Sequence, residues 1–292
     1  MRSLLRGRRL CAAACTALLG ATALGLTASP ASAATGPGTR YYLALGDSLA
    51  AGYQSLPGGG SEVGHGYAQD IAATLGRRAA RDGHPFSFTD LGCPGETSGS
   101  MINGGCDYPH PYTDPQLATA TAFLAEHRHD DVTVTLDIGA NDVDGCATAE
   151  SLDAACAAQG VVTAGRDLGT ILTRLRAAAG PHTRIIGMNL YDPFLAAWLT
   201  GTQGKVLASL SVPVADALNG TLDLVDALHG VPTADVAKAF GTNSFLPLVP
   251  LDGQQVPLNV ARIMGWTNMA REDIHANDTG YQVIAGAFLT RL

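Results

Sequence analysis

Four short blocks of the chain hold residue types that can do nucleophilic chemistry. Ser48 stands in Gly46-Asp47-Ser48-Leu49 and Gly95 in Leu91-Gly92-Cys93-Pro94-Gly95-Glu96-Thr97. Asn141 stands in Ile138-Gly139-Ala140-Asn141-Asp142, and His275 in Asp273-Ile274-His275-Ala276-Asn277. A serine hydroxyl is a poor nucleophile near neutral pH and needs an adjacent base, a task suited to imidazole. Each block alone is ordinary: serine after Gly-Asp is common in turns, asparagine tolerates left-handed backbone, and a histidine can cap a helix. The Gly-x-Ser-x-Gly elbow occurs nowhere, which argues against an ordinary α/β-hydrolase.

Metal-binding patterns fail on inspection. There is no His-Glu-x-x-His and no Cys-x-x-Cys. His127-Arg128-His129 falls where a helix should meet a strand and reads as a solvated turn. The run from Asn141 to Gly145 begins like a calcium loop, but the twelfth position, which should be glutamate, is Leu152. No metal and no cofactor are expected.

The elements that must position these blocks are readable from periodicity. Apolar runs predict strands over 41–46, 86–91 and 184–190, with a weaker fifth strand over 231–236. Residues 132–138 alternate apolar and polar, the period-2 pattern of a strand. Leu168, Ile171, Leu172 and Leu175, and again Tyr281, Ile284, Ala285 and Phe288, fall on single helix faces. Weaker helical patterns cover 66–80, 114–128 and 204–229. Alternation of strand and helix predicts a parallel sheet covered on both faces. Three blocks then follow the first three strands, and the fourth precedes the last helix. A serine between a strand's carboxyl end and a helix lies at the rim where open α/β sheets bind ligands. Gly58-Gly59-Gly60 predicts a mobile loop. The stretch 241–270 is long, apolar and weakly patterned, and reads as a functional loop and a candidate lid.

Taken together, in this order and over this length, the four blocks resemble the GDSL-motif serine esterases, or SGNH hydrolases, of the exported actinobacterial type. The resemblance implies a flavodoxin-like three-layer α/β/α sandwich with a central parallel sheet of about five strands. In strand order 2-1-3-4-5 the loops after strands 1, 2 and 3 are neighbours. It also implies roles: Ser48 as nucleophile, His275 as general base, and an oxyanion hole of the Ser48 and Gly95 N–H groups and the Asn141 side-chain amide. Asp47 and Asp142 read as turn residues. The sequence departs from the family at the third catalytic member. The family's Asp lies three residues before the His; here that position is Glu272, and Asp273 lies two before. Asp273, Glu272 or a backbone carbonyl could orient the imidazole. Asp273 is preferred, because a short carboxylate this close needs only a local turn.

Residues 1–33 carry Arg2, Arg6, Arg8 and Arg9, an apolar run over 10–26, and Ala31-Ser32-Ala33, the form of a cleaved secretion leader. An uncleaved anchor is the rival reading, weakened by interleaved Ala and Gly. No later stretch suits a membrane span, so no stable anchor is expected, and 34–292 reads as a single domain. Of 292 residues 46% are hydrophobic and 15% charged, which excludes general disorder. The net charge of −8, or −12 without the four leader arginines, excludes a nucleic-acid binder. Four of six cysteines lie beyond the leader, and an exported chain would pair them. Cys93–Cys106 and Cys146–Cys156 are preferred because short loops close most easily, and each bridge would stiffen a loop of the implied oxyanion hole.

The expected function is a secreted, monomeric ester hydrolase that works through an acyl-enzyme on a small-molecule or lipid ester. The 241–270 stretch and residues 191–199, with Phe194, Leu195 and Trp198, would line its acyl site. Two alternatives stand. A carbohydrate acetyl esterase would use the same machinery, but aromatic content of 6% with two Trp offers few sugar-stacking platforms. A non-catalytic binding module has no use for Ser48, Gly95, Asn141 and His275 together.

Overall fold

The computed structural model describes residues 38–147 and 151–292. The expected leader, 1–33, and the start of the expected domain at residue 34 lie outside the described residues. The chain opens with β1 (Arg40–Gly46), α1 (Ser48–Ala51), a small hairpin of β2 (Gln54–Ser55) and β3 (Ser61–Glu62), α2 (Tyr67–Arg81) and β4 (Phe86–Asp90). Next come α3 (Ser98–Asn103), α4 (Gln116–Glu126), β5 (Asp131–Asp137), two short 3₁₀ turns, α5 (Ala154–Ala178) and β6 (Thr183–Met188). A 3₁₀ stretch (Pro193–Thr200), α6 (Thr202–Leu228), β7 (Thr233–Ala234) and α7 (Val236–Phe240) lead to a hairpin of β8 (Leu248–Leu251) and β9 (Gln254–Pro257). The described chain closes with α8 (Leu258–Trp266) and α9 (Asp278–Leu289).

Five strands form the central sheet in the order β4-β1-β5-β6-β7, all parallel. In chain order of the sheet strands this is 2-1-3-4-5, the order implied by the resemblance. Helix α2 packs on α9, while α5 lies between α4 and α6, giving helices on both sides of the sheet. Burial on both faces explains the composition of β1, where Tyr42, Leu43, Ala44 and Leu45 are all buried. It also changes the meaning of the alternation in β5. Its last two polar positions do not face water: Thr135 and Asp137 are fully buried, hydrogen-bonded by the hydroxyls of Tyr42 (2.9 Å) and Tyr67 (2.5 Å). Among the described residues no helix is long and apolar enough to cross a membrane.

Three expectations need correction. Helix α5 begins 14 residues before Leu168, capped by Asp153, whose carboxylate accepts from the N–H groups of Ala155 and Cys156. Glycines hide its pattern; a Cβ at Gly160 would overlap the Asp142 carbonyl, so small residues there allow close approach. The fifth strand shrinks to two residues. The 241–270 stretch is not a loop but the β8–β9 hairpin followed by α8, with Val256, Val260 and Ile263 in the core. Its signal was Asp252-Gly253, both at positive φ (47° and 79°), the dipeptide of a two-residue hairpin turn.

Candidate active site

The site is assembled at the carboxyl ends of β4, β1 and β5. Ser48 is the first residue of α1, directly after β1, and is nearly buried. Asp47 caps that helix: its Oδ1 accepts from the Leu49 N–H at 2.9 Å. Gly46, at φ +143°, is required here, because a Cβ would overlap the Asp137 carboxylate on the neighbouring strand. Gln116 grips the same turn, accepting from the Gly46 N–H (2.8 Å) and donating to the Gly46 carbonyl (2.9 Å).

The loop after β4 is tied to this turn. The Cys93 N–H donates to the Gly46 carbonyl, and Gln116 Nε2 also donates to the buried Glu96 carboxylate at 3.0 Å. Gly95 takes φ +86°, a conformation that favours glycine, with open space on its Cβ side. The loop after β5 joins in turn. Asn141 Nδ2 donates to the Glu96 carbonyl at 2.9 Å, and the Asp142 carboxylate accepts from the N–H and hydroxyl of Ser98 at 2.9 and 2.7 Å. Disulfides Cys93–Cys106 and Cys146–Cys156 brace the outer sides of these two loops, in the pairing preferred from sequence.

His275 arrives from the other side of the sheet, on the turn before α9. The Ser48 hydroxyl donates to its Nε2 at 2.8 Å. Its Nδ1 donates to Asp273 Oδ1 in a short hydrogen bond, which fixes the tautomer that leaves Nε2 free to accept. Of the three candidate partners it is Asp273 that touches the ring. The unusual spacing has a local cause: Glu272 adopts left-handed backbone at φ +59°, reversing the chain, and Asp273 Oδ1 then also accepts from the His275 N–H at 3.1 Å. Asp273 Oδ2 accepts from the Ser55 N–H at 3.1 Å. Burial pulls the Asp273 carboxyl upward, but the hydrogen bonds from His275 and Ser55 outweigh it and hold it well below the usual carboxylate range. Glu272 is exposed. A hydroxyl, an imidazole and an anchored carboxylate in this line can take a proton from serine as it attacks an electrophile.

A cavity of about 790 Å³, counting its open mouth, begins at Ser48, Asn141 and His275. Its far walls are mostly apolar, with Val143, Leu152, Leu190, Phe194, Val214 and Leu218. Phe194 lines it as expected from sequence, but Leu195 is in the core and Trp198 packs against Phe245 and Lys205. No residue of 241–270 reaches it. Asp144 also lines the cavity, with no hydrogen-bond donor among the described residues. Burial, with the charges of Asp47 and Asp192, pushes its carboxyl up to about 7. Asp192, held by the Ser211 hydroxyl at 2.6 Å, is pushed by burial to about 6. Among the described residues one grouping has the atoms of a metal site, Cys93, Cys106 and His110, but both sulfurs belong to a disulfide.

Sequence reasoning missed Gln116, Glu96, Asp137 and Asp144. Glu96 and Asp144 lie inside or beside the quoted blocks, and Asp137 is a carboxylate on a covered strand, itself a signal. Gln116 lies 70 residues from the glycine it holds and has no local signature.

Solved structures similar to the chain are distant in sequence. A phospholipase A1 from Streptomyces albidoflavus superposes with a TM-score of 0.51 at 19% identity, over 87% of this chain and 99% of that one. An extracellular lipase from Streptomyces rimosus gives 0.51 at 19% identity, over 87% and 100%. The acetylxylan esterase Axe2 from Geobacillus stearothermophilus gives 0.50 at 14% identity, over 86% and 93%. These likenesses establish a shared fold. No curated protein matches the chain. The model of the GDSL-like lipase/acylhydrolase family matches residues 44–283, from within β1 to within α9, and so spans every block of the site. The chain belongs to that family of ester-hydrolysing enzymes.

Proposed function

We propose that the protein is a secreted serine carboxylesterase or lipase whose acyl-enzyme forms on Ser48. The observation that carries this reading is the hydrogen-bonded line Asp273–His275–Ser48, ending at an apolar cavity. Ser48 Oγ attacks the ester carbonyl carbon while His275 Nε2 takes its proton. The carbonyl oxygen becomes an oxyanion, met by the N–H groups of Ser48 and Gly95 and by the Asn141 amide. One such donor is worth about 10²–10³ in turnover. The imidazolium returns its proton to the leaving alcohol, and the acyl group stays on Ser48. Water then attacks the acyl-serine, giving its proton to His275, and the carboxylic acid is released with Ser48 restored. Asp273 keeps the ring oriented and stabilises its charged form.

The cavity favours an acyl chain longer than acetate, because its walls beyond Ser48 are mostly apolar side chains. Export is supported by the form of residues 1–33 and by two disulfides. A serine-directed phosphonate tests the mechanism. It should label Ser48 stoichiometrically, and the labelling should collapse in His275→Ala; absence of labelling would overturn the reading. Turnover of p-nitrophenyl esters of graded length, beside an acetylated polysaccharide, tests the substrate. A maximum at acetate with deacetylation of the polymer would replace this reading with the carbohydrate esterase.

A further inference from the structure

Beneath Ser48 lie two carboxyl groups that the proposed mechanism does not use. Asp137 is the last residue of β5 and register partner of Gly46; Asp47 follows Gly46. Both side chains are buried, 1% exposed for Asp47 and 0% for Asp137. Each has one oxygen with protein donors. Asp47 Oδ1 accepts from the Leu49 N–H at 2.9 Å, with the Ser48 hydroxyl at 3.5 Å, and Asp137 Oδ1 accepts from the Tyr67 hydroxyl at 2.5 Å. The other two oxygens, Asp47 Oδ2 and Asp137 Oδ2, are sealed from solvent with no hydrogen-bond partner among the described residues. The two carboxyl groups are close neighbours: Asp137 pairs in register with Gly46, the residue before Asp47, and each acts on the other's ionisation.

Two neighbouring carboxylates would leave both buried oxygens without a hydrogen, whereas one proton held between them would satisfy both. The groups facing the pair do not offer another solution. They are Tyr42 from β1, Tyr67 from α2, Glu96 from the loop after β4, Asp144 from the turn after β5, Tyr191 after β6, Tyr281 from α9 and His275. None is a lysine or arginine, and the histidine is needed neutral to accept from Ser48. We propose that Asp47 and Asp137 share one proton as a buried acid–carboxylate pair, that the pair positions the turn carrying Ser48, and that loss of the shared proton sets an alkaline limit on activity. Asp47 and Asp137 are positioning residues, acting through the cap of α1. Burial raises both carboxyls, that of Asp137 most, with the Asp47 charge adding to it. The sign follows: the pair is intact below its upper titration and is lost as pH rises through it. Two like charges then face each other under the nucleophile.

The proposal rests on the Ser48 reading, and the test separates the two. The pH profile of kcat for p-nitrophenyl butyrate, corrected for spontaneous hydrolysis, is compared for wild type, Asp137→Asn, Asp137→Leu and Ser48→Ala. In Asp137→Asn the amide supplies a hydrogen that does not titrate and still accepts from Tyr67. Its neutral-pH turnover should stay within about threefold of wild type, and its alkaline limb should move up by at least about one pH unit or vanish. Asp137→Leu strips donors and acceptors from Asp47 and Tyr67 and should lose about tenfold or more in kcat with KM little changed. Full activity in Ser48→Ala overturns the nucleophile reading. An inactive Ser48→Ala with an unmoved alkaline limb in Asp137→Asn overturns the pair alone. Should Asp137→Asn fail to fold, infrared titration of the wild-type enzyme decides: a carbonyl band of a protonated carboxylic acid that persists above about pH 8.5, where Asp144 and Asp226 have ionised, and fades with the alkaline loss of activity supports the pair, and its absence there overturns it.

Discussion

The roles of two neighbouring acids separate cleanly at the level of single residues. Asp273 receives hydrogen bonds from His275 Nδ1, the His275 N–H and the Ser55 N–H, whereas Glu272 is turned to solvent by its left-handed backbone. Asp273→Asn keeps the size of the side chain but offers an amide that can stabilise the wrong imidazole tautomer. It should lower kcat/KM for a p-nitrophenyl ester by about 10²–10⁴, while Glu272→Gln should stay within about threefold. Equal effects of the two would remove Asp273 from its role. Asp144 makes a different prediction because it faces the cavity without a donor among the described residues. With its carboxyl pushed to about 7, it is neutral below that pH and charged above it. An apolar acyl chain packs against the neutral acid at less cost than against the anion. KM for medium-chain esters should therefore rise in wild type between about pH 6 and pH 8, and Asp144→Leu should flatten that rise and lower KM at the upper end. A wild-type KM independent of pH over this range would mean that Asp144 does not meet the chain.

Between elements, the loops are held by side chains that reach across the sheet end, and Gln116 is the hub. It satisfies both backbone groups of Gly46 and one oxygen of Glu96, while Asn141 binds the Glu96 carbonyl. Gln116→Leu leaves the buried Gly46 N–H and Glu96 Oε2 without their partners and takes one of two donors from the Gly46 carbonyl. It should cost about 2–4 kcal/mol of stability in urea titration and reduce kcat more than KM, since the turns that carry Ser48 and Gly95 lose their common tie. A variant that is as stable and active as wild type would show the tie to be redundant. This network marks the limit of what the sequence reveals. The strands, the order of the blocks and the local disulfides were readable, because each depends on near neighbours in the chain. The reach of Gln116, the pairing of Asp137 with Asp47 and the cavity wall from Val214 and Leu218 of α6 depend on side chains brought together by the sheet. The 241–270 stretch misleads for the opposite reason: its Asp252-Gly253 turn is legible in the sequence, but the apolar residues around it belong to the core under a hairpin and α8 and not to a loop over the site.

The whole molecule carries an excess of buried acids with few cations to match them. Besides the pair under Ser48, burial lifts Asp90 to about 6, Asp192 to about 6 and Asp226 to about 7. Their hydrogen-bond partners, such as Gln69 on Asp90 and Thr233 on Asp226, are neutral and only partly offset burial. In the unfolded chain these groups ionise near the ordinary carboxylate value. Between that value and about 7 the folded state thus holds more protons than the unfolded one, so stability must fall as pH rises through this window. Asp273 works the other way, but its depressed carboxyl adds stability that is lost only in strong acid, below the window. Net charge of −8 adds self-repulsion of the same sign as the buried acids. Urea unfolding followed by tryptophan fluorescence should give a midpoint that is higher at about pH 5 than at about pH 8, by an amount equivalent to roughly 3 kcal/mol or more. Asp226→Asn should recover part of that loss, since its amide needs no proton. A midpoint that rises from pH 5 to pH 8 would show that these acids are ionised and paired in the folded enzyme, and the proton-holding interior would have to be abandoned.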